Sequence, residues 1–104
     1  MAYFTIIQGK HVNFTIDATN YGTIDAFNVE LGQNNSTKVK YRWPTTDGFH
    51  PMVNNNGVFT VNIHTTVSRE LLGIYDLELT AELSGEEVGH DISADFMLVK
   101  RQNL

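Results

Sequence analysis

Residues 75–83 constrain the fold of this chain more than any other stretch. Apolar side chains stand at every second position, and Asp76, Glu78 and Glu82 fall between them. A period of two places successive side chains on opposite faces of a sheet, whereas a helix would scatter the same residues around its axis. The stretch therefore predicts a half-buried β-strand with an apolar face toward a core and an acidic face toward solvent.

The residues that lead into this strand predict how it begins. Gly73 marks a sharp turn, and the pattern Leu71-x-Gly73-x-Tyr75 resembles the tyrosine corner of Greek-key sandwiches. In that feature a tyrosine at the start of a strand hydrogen-bonds to backbone a few residues upstream. We therefore expect the Tyr75 hydroxyl to bond to the backbone that precedes it.

Other segments read as strands of the same kind. The further candidates are residues 3–8, 11–19, 26–31, 37–43, 58–64 and 88–100. Turn residues separate them, because Asn and Gly tolerate the positive φ that tight turns require. Asn56-Gly57 is a strong hairpin signal, and residues 84–87, which begin with Ser84-Gly85, read as another turn. Strands at this spacing predict an all-β fold, an antiparallel β-sandwich of about seven strands with Greek-key connections.

Three segments are less regular. Residues 44–57 contain both prolines and several asparagines, which predicts the longest exposed loop, and residues 65–72 predict a crossover with one helical turn. The last strand admits two registers. Either its inward side chains are Ile92, Ala94, Phe96 and Leu98, or a bulge turns Met97 and Val99 inward.

Composition limits the classes of function. The 104 residues suit a single domain spanning 1–104, and the net charge of −5 argues against nucleic acid, whose phosphates require Lys and Arg. There is no cysteine, and no segment has the roughly 20 apolar residues that cross a bilayer. The N-terminus lacks the pattern of a signal peptide, which predicts a protein outside the secretory route and without membrane contact.

No catalytic, cofactor or metal motif stands out. The sequence contains neither a nucleophile elbow of the form G-x-S-x-G nor a glycine-rich phosphate loop, so we predict no enzyme activity and no cofactor. The histidines do not form a ligand pair by spacing, although His11 and His64 lie at strand ends that could meet in space. We therefore predict no metal site.

An aromatic group beside the proline-rich loop is the candidate contact site. Exposed rings can stack on sugars, and Tyr41, Trp43 and Phe49 are the rings available for such a platform. The candidate contacts to a partner or a glycan are Tyr41, Trp43, Phe49, His50, Asn54 and Asn55. The alternative stays open, because Trp43 alternates in phase with Val39 and Tyr41, which favours a place in the core or at its rim.

Charged residues also alternate along two strands. Lys38, Lys40 and Arg42 form a basic stripe, and Asp76, Glu78 and Glu82 form an acidic one. On neighbouring strands the stripes would make exposed ion pairs that contribute little to stability. On opposite faces they would make the domain electrostatically two-sided and favour assembly between copies.

The order of these segments resembles a known family. Ile7-x-Gly9-Lys10 leads into an alternating strand, residues 57–63 read Gly-Val-Phe-Thr-Val-Asn-Ile, and Leu71-x-Gly73-x-Tyr75 precedes the closing strands. Over nearly the whole chain this resembles the N-terminal domain of phage baseplate upper proteins and related immunoglobulin-like domains of phage tails and heads.

The resemblance implies a structural role. It implies an immunoglobulin-like domain without enzymatic activity that docks on other virion subunits or on copies of itself, in a phage or prophage particle, or in the bacterial cytoplasm before assembly. Carbohydrate binding by a lectin-like sandwich is the alternative that the aromatic group supports.

Overall fold

The chain forms two β-sheets packed face to face in a computed structural model that describes residues 2–93 and 95–101. The strands are β1 (Ala2–Ile7), β2 (Val12–Asp17), β3 (Ala26–Gln33), β4 (Ser36–Trp43), β5 (His50–Pro51), β6 (Val53–Asn55), β7 (Val58–Ile63), β8 (Gly73–Leu83), β9 (Glu86–Ile92) and β10 (Asp95–Lys100). A 3₁₀ turn, Thr19–Tyr21, follows β2, and one helical turn, α1 (Thr65–Ser68), precedes β8.

The sheet order confirms the predicted fold class. The larger sheet runs β1-β10-β8-β3-β4-β5, with β9 also paired to β8, and the smaller sheet runs β2-β7-β6. The chain crosses between the sheets from β2 to β3 and from β7 to β8, as in the Greek-key connections of immunoglobulin-like sandwiches. The β1–β10 and β4–β5 pairs are parallel, so the larger sheet is mixed, whereas the other described strand pairs are antiparallel as predicted.

The apolar faces of the two sheets meet in one core. Phe27 of the larger sheet stacks on Phe59 of the smaller sheet with ring centroids 4.6 Å apart. The apolar residues of β2 and β7 are more buried than the polar residues between them, as their sequence patterns predict, and β8 buries Tyr75, Leu77 and Ala81. Close packing of this kind makes each lost methylene group costly.

The tyrosine corner forms as predicted. The Leu72 amide donates a hydrogen bond of 2.9 Å to the Tyr75 hydroxyl, which fixes the turn into β8. Two residues later Leu77 is 3% exposed, at the position where antibody domains place the second cysteine of their inter-sheet disulfide. Because the chain contains no cysteine, apolar packing takes the place of that bridge.

Two tight turns also form at their predicted sites. Asn56 and Gly57 join β6 to β7 with φ values of 53° and 88°, and Ser84 and Gly85 join β8 to β9 with φ values of 54° and 80°. Positive φ at both central residues matches the right-handed twist of the flanking strands.

Two predictions about irregular segments are wrong. Residues 44–57 are not a continuous loop, because they contain β5 and β6 and bury Met52 to 6% exposure. Residues 88–100 are not a continuous strand: β9 and β10 pair with different halves of β8. Of the two registers, the second is confirmed by buried Met97 and Val99, whereas Ile92 is 57% exposed. Ala94 and the side chain of Phe96 lie outside what the structure describes.

Candidate functional site

The predicted contact residues do not share one surface. Tyr41 is 1% exposed and lies in the core, so it cannot touch a partner or a sugar in this conformation. His50 lies in β5 at the edge of the larger sheet, whereas Asn54 and Asn55 lie in β6 of the smaller sheet. The segment between β4 and β7 passes from one sheet to the other, and this crossing separates residues that are close in sequence.

The predicted aromatic platform is also divided by internal contacts. Trp43 is half-buried and packs against Phe59 at 5.5 Å between ring centroids, as its phase with Val39 predicts. The Lys40 ammonium group lies 4.7 Å from the centre of the Phe49 ring, a distance typical of a cation–π contact. With Tyr41 in the core, the three rings do not form one exposed platform.

The outward side of the larger sheet is the widest surface with a defined arrangement, and we call it the outer face. Strand registers place β4, β3, β8 and β9 side by side across it. Its side chains are Asn28, Glu30, Lys40, Arg42, Ile74, Asp76, Glu78, Thr80, Glu82, His90 and Ile92. The predicted acidic stripe and most of the predicted basic stripe therefore lie on the same face, separated by β3.

Lys38 does not lie on the outer face with Lys40 and Arg42. Val39 pairs with Leu31 and Thr37 pairs with Gly32, so Lys38 is the extra residue of a β-bulge. It lines a different concavity, together with Val39 and Tyr75. The bulge therefore removes one positive charge from the outer face and leaves carboxylates in excess there.

A concavity of about 340 Å³ opens on the outer face where Gly32 has no side chain. Glu30, Asp76 and Glu78 surround it, and Ile92 forms an apolar wall. The remaining lining residues are Gln33, Asn35, Ser36 and Thr37. This arrangement combines negative charge with an exposed apolar side chain, which suits an amphipathic group that carries positive charge.

A half-buried ionic network lies beside the concavity. Arg42 donates to Glu82 at 2.9 Å and to the Asn28 side-chain oxygen at 2.8 Å. The hydrogen bond from Arg42 holds the pKa of Glu82 below its ordinary value, and partial burial opposes that shift. The Arg42 guanidinium group is therefore already paired with side chains of the same chain. Lys40 carries the other positive charge of the outer face.

The β8–β9 hairpin carries the side of the outer face away from β4. His90 lies 2.9 Å from a Glu78 oxygen and 3.5 Å from a Glu87 oxygen. The bond to Glu78 raises the pKa of His90 above its ordinary value, with smaller contributions from the nearby carboxylates. The pair ties β9 to β8 across their solvent side.

Tyr21 supports the same hairpin from the other side. Its ring lies directly on Gly89, where a Cβ atom would overlap it, and its hydroxyl donates to the Asp91 carboxylate. Burial and the bond to Asp91 raise the pKa of Tyr21 to about 12. Tyr21 of the 3₁₀ turn, far away in sequence, therefore positions the strand that borders the concavity.

Exposed apolar side chains lie on β8 and β9, and Val53 of β6 in the smaller sheet is exposed to a similar degree, at 57%. Ile74, Val88 and Ile92 are 49%, 48% and 57% exposed. Isolated exposed apolar residues are common, so the feature of interest is that Ile74 and Ile92 share the outer face with the concavity.

His11 and His64 meet as predicted, with stacked rings 5.1 Å apart. Within the part of the chain that the structure describes, no three His, Cys, Asp or Glu side chains converge as metal ligands. In the same described residues, no helix has the length and apolar character to cross a bilayer.

The sequence pattern did not indicate the concavity. Gly32 reads as a loop residue, and Ile92 alternates with Leu98 as if both faced the core. The polar residues at His90 and Asp91 were the available signal, because they interrupt an apolar alternation and mark a strand that buries little.

The two packed sheets and the crossings between them define an immunoglobulin-like β-sandwich fold. The chain is similar to the second Ig domain of the mouse polymeric immunoglobulin receptor, with a TM-score of 0.60 over 99% of this chain and 97% of that one. The two sequences are 15% identical, so the likeness concerns the fold. No known family profile and no curated protein sequence matches the chain.

Proposed function

We propose that this domain binds a protein partner through its outer face, with the concavity around Gly32 at the centre of the contact. The observation that carries the proposal is the juxtaposition of exposed Ile92 with the carboxylates of Glu30, Asp76 and Glu78 around one depression. Protein contacts typically place an apolar or long amphipathic anchor in a central pocket with polar groups around it.

The charge of the face favours a partner of opposite sign. Carboxylates outnumber the cations on the outer face, and the whole chain carries a net charge of −5. Two copies meeting through this face would bring like charges together, which disfavours self-association there. A partner that presents Lys or Arg beside apolar side chains complements it.

The sequence supports a particle of a phage or prophage as the setting. The support is the order of segments from Ile7-x-Gly9-Lys10 to Leu71-x-Gly73-x-Tyr75, which resembles domains of phage baseplates, tails and heads. In this setting the domain is a structural component that docks on a neighbouring subunit and catalyses no reaction.

Binding to proteins encoded by neighbouring genes tests both parts of the proposal. Each product is titrated against the immobilised domain, and we expect one of them to bind. Replacing Asp76 and Glu78 with lysine should weaken that binding by about tenfold or more, because it reverses the charge of the pocket rim. Glu70→Lys, an exposed change away from the outer face, should leave binding within about twofold.

The possible outcomes test the binding surface and the phage setting separately. Neighbouring genes that encode no virion subunits would contradict the phage assignment without affecting the outer face. A partner whose affinity is unchanged by the Asp76 and Glu78 variants, and also by Ile92→Ser, would overturn the outer face as the site of contact.

A further inference from the structure

We infer that Asn56 is a site of spontaneous chemical modification, deamidation through a succinimide, and that the Asn54 side chain restrains the reaction in the folded protein. Asn56 is exposed and precedes Gly57, which forms the single Asn-Gly pair of the sequence. Glycine offers no side chain to hinder attack by its own backbone nitrogen. The site is independent of the outer face.

The reaction requires a free Gly57 nitrogen. That nitrogen loses its proton and bonds to the Asn56 side-chain carbonyl carbon, which expels the amide nitrogen as ammonia and closes a five-membered imide. Water then opens the ring at either carbonyl and leaves aspartate or isoaspartate. The only co-reactant is solvent water, which reaches the exposed Asn56 side chain.

The folded turn engages this nitrogen. The Gly57 amide donates a hydrogen bond of 2.9 Å to the Asn54 side-chain oxygen. Attack on Asn56 must break this bond, because the same N–H group supplies the proton that has to leave. Asn54 therefore lowers the fraction of the folded protein in which the nitrogen is available.

Packing around the turn adds a second restraint. The Gly57 carbonyl accepts a hydrogen bond of 2.9 Å from the Ala18 amide, and the Thr19 methyl group lies 3.0 Å from the point where a Gly57 Cβ would stand. The bond from Ala18 holds the Gly57 carbonyl, so Gly57 is restrained at both its amide and its carbonyl group.

The product alters the turn chemically. Isoaspartate adds one carbon to the backbone of a two-residue turn, and either product adds a negative charge. The register that pairs Asn55 with Val58 depends on that turn length, so the modified chain should hold β6 less firmly. Modification at this position therefore acts as a slow, irreversible loosening of one edge of the smaller sheet.

The test measures isoaspartate and aspartate at position 56 by peptide mapping, after incubation of the whole folded protein in mildly alkaline buffer. Asn54→Ala should accelerate the conversion by roughly three- to tenfold, the effect of losing one ordinary hydrogen bond. Asn55→Ala, the same truncation one residue along, should leave the rate within about twofold, since Asn55 does not hold the Gly57 amide. Asn56→Gly should abolish the signal at this position.

Two further measurements keep the inference testable if Asn54→Ala folds poorly. Asn54→Asp retains a side-chain oxygen acceptor and should keep the slow rate. In denaturant, the unmodified chain and Asn54→Ala should react equally fast, and both faster than the folded protein. Equal rates for folded and denatured protein, or for Asn54→Ala and Asn55→Ala in the folded state, would overturn the protective role.

Discussion

Two tyrosines buried to the same degree differ in what their hydroxyl groups contact. Tyr41 and Tyr75 are 1% and 3% exposed. The Tyr75 hydroxyl accepts the Leu72 amide, whereas the Tyr41 hydroxyl has no partner among the described residues. A buried hydroxyl without a partner loses its hydration and gains nothing in return, which also explains why burial raises the pKa of Tyr41 to about 12.

The same substitution at these two positions should therefore change stability differently. We expect Tyr41→Phe to leave the free energy of unfolding unchanged or to raise it by up to about 1 kcal/mol, and Tyr75→Phe to lower it by about 1–2 kcal/mol. Chemical denaturation of both variants measures the difference. Each variant is the size-matched control for the other, and equal losses would contradict the assignment of hydroxyl partners.

At the scale of elements, β9 is the strand that depends most on its neighbours. None of its residues is buried, so its own side chains contribute little to the core. Its position depends on backbone pairing with β8, on the bond between His90 and Glu78, and on the Tyr21 ring lying over Gly89. Because β9 carries Ile92, these contacts also hold the wall of the concavity.

Substituting Gly89 should loosen this hairpin. Gly89→Ala places a methyl group where the Tyr21 ring lies, and we expect a loss of about 1–3 kcal/mol together with faster amide exchange in β9. Gly32→Ala is the control, because its added methyl group meets only an ordinary contact of 3.7 Å. Slow exchange in β9 of the Gly89→Ala protein would show that Tyr21 does not support the strand.

At the scale of the whole molecule, the ionic network across three strands sets a dependence on pH. Arg42 of β4 reaches over β3 to Glu82 of β8, and both side chains are about one-fifth exposed. Since the folded-state pKa of Glu82 lies below its ordinary value of 4.5, its contribution to stability is fully present above that pH. It is lost as the pH falls through the lower, folded-state value.

Removing the positive charge of Arg42 should make the melting temperature depend less on pH in the acid range. The melting temperature of the unmodified protein should decline below about pH 4.5, and Arg42→Met should decline less over the same range while being less stable at neutral pH. Arg69→Met is the control, because Arg69 and Glu70 are mostly exposed and contribute little. If the melting temperature of Arg42→Met fell as steeply below pH 4.5 as that of the unmodified protein, the role of the Arg42–Glu82 pair would be contradicted.

Local sequence patterns were sufficient to predict the fold class, the two faces of β2, β7 and β8, the tyrosine corner and both tight turns. Each of these depends on residues within a few positions of one another. A period of two, or an Asn-Gly pair, favours the same local backbone in many tertiary surroundings.

Contacts between distant segments instead determine the register of β9 and β10, the bulge at Lys38 and the burial of Tyr41 in the core. Tyr21 lies on Gly89, and β9 and β10 share the length of β8. Alternation assigns a residue to one of two faces, but it does not reveal which face a neighbouring element covers. The outer face and its concavity exist because the paired strands bring Gly32, Asp76 and Ile92 together, and that pairing is a property of the assembled sheet.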